Sequence, residues 1–121
     1  MFKERRKYKR FKVSLEIGYA YSDDDCYIYA KSTTKDISKG GLKLEILRLI
    51  KNKSKLKVDI KLPGEKHLVS AICKLVWKKS FDEGDEHKEI GGLEFLNFRP
   101  EGRQLFDEYI SGLEQSEPPE A

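Results

Sequence analysis

The chain has 121 residues, a length that closes one hydrophobic core and leads one to expect a single domain with one site. Its 38% hydrophobic, 37% charged and 11% aromatic content excludes a chain disordered throughout and suits a domain with a well-solvated surface. No apolar run approaches the roughly 18 to 20 residues that span a bilayer, and Met1 leads into charge rather than a signal-type apolar segment, so a cytoplasmic protein is expected.

The net charge of +3 hides an asymmetry. Residues 1–12 carry seven Lys/Arg against Glu4 alone, and residues 101–121 carry six acids against Arg103. The first stretch reads as a flexible basic arm that concentrates anions, and residues 114–121, with two prolines and three glutamates, read as a disordered acidic tail. Residues 13–113 between them are expected to form the folded unit.

Within that unit Val13, Leu15, Ile17, Tyr19 and Tyr21 alternate with Ser14, Glu16, Gly18 and Ala20, the period-two pattern of a half-buried strand. Ser22-Asp23-Asp24-Asp25 signals a turn, and residues 26–35 supply the β-branched and aromatic residues of a second strand, completing a hairpin. Residues 36–41 break the pattern with small polar residues and a glycine pair, after which Leu42, Leu44 and Ile46 open a third strand. Residues 47–53 read as a connection. Leu56, Val58, Ile60 and Leu62 alternate up to the Pro63-Gly64 turn, and residues 67–79 form the fifth strand. Residues 80–88 read as a charged loop and residues 89–98 as a sixth strand interrupted by Gly91-Gly92. After Pro100, the helical spacing of Leu105, Phe106, Tyr109, Ile110 and Leu113 predicts a helix that covers the strands. The predicted fold is therefore all-β with a terminal helix: a six-stranded antiparallel β-barrel plus a C-terminal α-helix.

Two motifs carry chemistry. Arg5-Arg6-Lys7-Tyr8-Lys9-Arg10 contains Arg-x3-Arg, and Asp36-Ile37-Ser38-Lys39-Gly40-Gly41 contains Asp-x-Ser-x2-Gly. Taken singly, the first is a common solvated run and the second a common turn. Together, at one end of a barrel, they define a ligand: a guanidinium forks onto phosphate oxygens or the O6/N7 edge of guanine, and its face stacks on a purine. Asp36 would accept from guanine N1 and N2, Ser38 would bond a phosphate or base, and Gly41 would let the backbone approach.

The order of arginine motif, strand hairpin, Asp-x-Ser-x2-Gly, further strands, Gly-x2-Phe and terminal helix resembles the PilZ domain family over roughly residues 3–113. The match lies at Arg6 and Arg10, at Asp36, Ser38 and Gly41, and at Gly92 and Phe95. The resemblance implies a six-stranded barrel, a cyclic di-GMP site closed by the N-terminal arm, and no catalytic activity. In such domains the residue before the arginine motif is associated with stoichiometry, so Arg5 implies an intercalated pair of ligand molecules. Gly40 and Trp77 complete the candidate site, Trp77 as a barrel residue with a face available for stacking.

Other constellations are weaker. His67 and His87 have no second ligand at metal spacing, and Cys26 and Cys73 match neither a zinc nor a redox spacing, so no metal, cofactor or enzyme is expected and the thiols read as reduced. The acidic stretch Asp82-Glu83-Gly84-Asp85-Glu86 lacks calcium-loop spacing. The expected partners are cyclic di-GMP and a downstream protein, with no membrane or nucleic acid, in a monomer or weak dimer. Two alternatives remain at this stage. One is a small-barrel nucleic-acid binder using the basic arm with Tyr8, Phe11 or Trp77, and the other is a PilZ-like adaptor that binds protein and no nucleotide.

Overall fold

The computed structural model describes residues 8–23 and 26–116. Its elements are β1 (Glu16–Asp23), β2 (Cys26–Ser38), β3 (Gly41–Ile46), β4 (Lys55–Ile60), β5 (Val69–Glu83), β6 (Glu86–Phe98) and α1 (Gly102–Ser116). The strands are antiparallel and follow the order β1-β2-β3-β6-β5-β4, and the pairing of β1 with β4 closes them into the expected barrel.

Alternation builds the core. Ile17, Tyr19 and Tyr21 of β1, Leu42, Leu44 and Ile46 of β3, Leu56, Val58 and Ile60 of β4, and Val69, Ala71, Cys73 and Leu75 of β5 all point inward and are buried. The helix adds Phe106 and Ile110, both buried, and Phe106 meets Phe95 and Phe98 with ring centroids 5.1 and 5.9 Å away. Among the described residues no helix is long and apolar enough to cross a membrane.

Strand ends shift by two or three residues, β1 opening at Glu16 rather than Val13, β4 closing at Ile60 and β5 opening at Val69, and three further boundaries differ from the sequence expectation. The pattern does not break at residue 36: β2 runs on through Asp36, Ile37 and Ser38, and only Lys39 and Gly40 turn before Gly41 opens β3. Ile37 is fully buried and pairs with Leu42, so core burial outweighs the turn preference of its polar neighbours. Residues 80–88 are not a charged loop but the end of a long hairpin. Gly84, with φ of 62°, makes the turn, and polar contacts cross the ladder, with the Lys88 ammonium 2.8 Å from the diagonal Glu83 carboxylate and His87 Nδ1 hydrogen-bonded to Asp82 at 3.0 Å. Finally, α1 continues to Ser116, three residues past Leu113, so the expected tail begins inside the helix and its remainder, residues 117–121, lies outside the described residues.

Candidate ligand site

The base of the N-terminal arm is stitched to the far half of β2. Phe11 N donates to Ile37 O at 2.8 Å, and Ile37 N donates back to Phe11 O at 2.9 Å. The Phe11 ring is buried in the core, and the Lys9 amine lies 5.8 Å from its centroid. Further along, Thr34 N donates to Leu15 O, and the Thr34 hydroxyl accepts from Leu15 N while donating to Val13 O. A β-bulge between Thr34 and Asp36 sets the register of this half of the strand.

That stitching brings Arg10 against Asp36. Arg10 Nη1 donates to Asp36 Oδ1 at 3.0 Å, and Lys43 Nζ lies 3.1 Å from Asp36 Oδ2. Asp36 is only 7% exposed, where an unpaired carboxylate would be costly, and two cations on one carboxylate leave the cluster net positive. The cluster is therefore an acceptor embedded in a cationic surface, able to take donors and an anion side by side.

The turn that follows is equally specific. Ser38 Oγ accepts from Gly40 N at 3.1 Å, holding the hydroxyl over the turn. Gly40 lies beneath the Tyr8 ring, whose Cδ2 would be 3.0 Å from an added Cβ, and Gly40 O accepts from Phe95 N at 3.0 Å. Gly41 has a different neighbour from the one its motif suggests: an added Cβ would stand 2.0 Å from Leu93 O, so the space is taken up by close packing of β3 on β6.

Asp36 pairs with Lys43, Lys43 with Gly92, and Gly92 with Trp77, which sets these residues in one cross-strand row. The indole lies across Gly92, where an added Cβ would be 2.1 Å from Nε1. Three interstrand spacings separate Asp36 from Trp77, about 14 Å. Trp77 lies in mid-strand, since β5 continues to Glu83.

Of the candidate residues, Arg10, Asp36, Ser38, Gly40 and Gly41 thus converge, and Trp77 lies further along the row; Arg5 and Arg6 lie outside the described residues. Lys43 is the residue that sequence reasoning missed. The signal was present: a two-residue turn pairs Ser38 with Gly41 and hence Asp36 with Lys43, provided that Asp36 is read as strand. A groove of about 640 Å³ lies elsewhere, on the wall of β1, β2 and β4 around Tyr29, Lys31, Lys61 and Leu68. It has no part of the two motifs, and its three lysines are matched by Glu16, Glu45 and Asp59.

The model of the PilZ domain matches residues 4–112 of the chain. The chain belongs to the PilZ domain family. Solved structures similar to this PilZ domain include the inhibitor of motility MotI/DgrA of Bacillus subtilis, with TM-score 0.70, 18% identity, and coverage of 95% of this chain and 53% of that one. The PilZ domain of YcgR from Escherichia coli, solved with c-di-GMP, has TM-score 0.66 and 15% identity and covers 93% of each chain. PlzA of Borreliella burgdorferi, in complex with c-di-GMP, has TM-score 0.61, 19% identity, and coverage of 93% and 55%. At these identities the likeness is one of fold, and the chain spans about half the length of MotI/DgrA and PlzA. Among curated proteins none matches.

Proposed function

We propose that this PilZ domain is a receptor for cyclic di-GMP, the nucleotide held by the YcgR and PlzA structures that share its fold. The observation that carries the reading is Asp36 clamped between Arg10 and Lys43 beside the Ser38 turn. Guanine presents N1 and N2 donors to the carboxylate, and a guanidinium so released turns to a phosphate, trading one charge-assisted contact for another. The Ser38 hydroxyl donates to a second anionic oxygen, the glycines keep the turn low, and Trp77 offers a face to a base. Arg5 and Arg6 close over the ligand with the arm, and Arg5 admits a second, intercalated molecule. The role is capture, not turnover: closure of the arm changes the surface met by a downstream protein.

Titration calorimetry with cyclic di-GMP, against cyclic di-AMP and GTP, tests this. Saturable binding of cyclic di-GMP alone, at two molecules per chain, is expected, and a ratio of one would remove the intercalated pair. Arg10→Ala should abolish binding in a protein whose circular dichroism is unchanged. Retained submicromolar binding in that variant would overturn the assignment.

A further inference from the structure

The two halves of β2 have different neighbours. Residues 26–33 pair with β1, and β3 joins only from Thr34 onward. Along residues 26–31 one edge of β2 therefore forms no ladder with any described strand, and its backbone groups on that side form a template for another chain. We propose that this edge pairs with the same edge of a second copy, giving a weak homodimer through strand addition.

The edge sequence supports pairing rather than mere exposure. It reads Cys26-Tyr27-Ile28-Tyr29-Ala30-Lys31, rich in strand formers and with one charge. Tyr27 and Tyr29 stand on its outer face at 71% and 52% exposure. Tyrosine at that exposure is what contact surfaces are enriched in. Tyr29 is itself steadied, since its ring lies over Gly18 of β1, where an added Cβ would be 2.1 Å from the phenol oxygen.

A twofold axis beside Tyr29 makes the segment self-complementary. Antiparallel pairing then sets Tyr29 against Tyr29, Tyr27 against Lys31 twice, and partly buried Ile28 against Ala30 twice on the inner face. Lys31 takes part in no ion pair among the described residues, so its ammonium is available for the tyrosine ring. Moving the axis two residues, to Lys31, places that lysine against itself, which like charges disfavour, and moving it one residue, to Ala30, keeps Lys31 against Tyr29 but gives up the Tyr29–Tyr29 pair. Sliding it the other way leaves only Cys26, Tyr27 and Ile28 to pair. The lysine that would blunt an edge toward other strands thereby disfavours the register centred on itself, and the tyrosine pair favours the one centred on Tyr29.

An interface of so few residues belongs to the small, transient class, so association should depend on concentration between about 10 µM and about 1 mM. Sedimentation equilibrium on the full chain reads it. A monomer–dimer equilibrium is expected for the wild type. Tyr27→Lys, at an exposed position where the fold is undisturbed, sets lysine against lysine twice and should weaken the dimer at least about tenfold. Tyr27→Glu sets carboxylate against Lys31 and should preserve the dimer while making it salt-sensitive. A wild type that stays monomeric throughout, or a dimer that Tyr27→Lys leaves unchanged, would overturn the proposal.

Discussion

Gly41→Ala is the sharpest perturbation of the turn between β2 and β3. The added methyl would stand 2.0 Å from the Leu93 carbonyl oxygen, more than an ångström inside ordinary contact, and 3.1 Å from its carbon. Both atoms are backbone, so no side chain can rotate away; β3 and β6 must part at the Gly41–Glu94 pairing. Gly41 is not among the glycines with positive φ, so the cost is steric rather than conformational. Overpacking of this kind costs about 1–3 kcal/mol, and disturbing the neighbouring Phe95 N to Gly40 O bond adds about 1 kcal/mol. With each kcal/mol worth about 3–5 °C in a domain of this size, the melting midpoint should fall by about 6 to 20 °C. Thermal unfolding by circular dichroism at neutral pH measures it. A variant that melts within about 2 °C of wild type would refute the packing argument. If that variant also failed to bind cyclic di-GMP, the glycine would be serving the ligand directly.

Lys43→Met removes one of the two cations on Asp36. Because Lys43 is about one-third exposed, stability should change by less than about 1 kcal/mol, while ligand affinity should fall about tenfold; unchanged affinity would remove Lys43 from the site. Trp77 is the sole tryptophan, so cyclic di-GMP stacking on it should quench protein emission, and a saturating titration that leaves emission flat would exclude that contact. Burial pushes the Cys73 thiol from the ordinary 9.0 up to about 12. Because its proton is held more tightly in the folded protein, its contribution to stability is whole below pH 9.0 and is lost as pH rises toward about 12. Urea unfolding midpoints should therefore decline across that alkaline window, and midpoints that rise there would contradict the burial. In the native protein a thiol reagent at pH 8 should label Cys26 and spare Cys73 until the chain unfolds.

The barrel was legible because alternation is a local signal: the inward positions of β1, β3 and β4 can be read from every second residue, and the helix from its spacing. What failed were the places where long-range pairing decides. Asp36 and Ser38 carry turn chemistry, yet Ile37 between them is drawn into the core against Leu42, and the strand continues through all three. The charged residues 80–88 look solvated in sequence and are indeed largely solvated, but they are paired, because β5 and β6 continue past the barrel as a hairpin. Lys43 escaped notice for the first of these reasons: its approach to Asp36 exists only in the register that the misread strand end defines.

The same strand end explains why two separately weak motifs form one surface. Phe11 is the only residue of the described arm that is buried, and its two backbone bonds to Ile37 fix where the arm leaves the barrel. The bridge is antiparallel, so Arg10 and Asp36, each one residue before its bridged neighbour, lie diagonally across it on the face opposite the two buried side chains, within reach of a long guanidinium at the rim. The arginine motif thus needs a hydrophobic residue immediately after it to be aimed at the carboxylate. Phe11→Ala should therefore weaken cyclic di-GMP binding without removing a single ligand contact, and Phe11→Leu, which keeps an apolar anchor, should restore most of it. Equal affinities for those two variants would show that Arg10 finds Asp36 by charge alone.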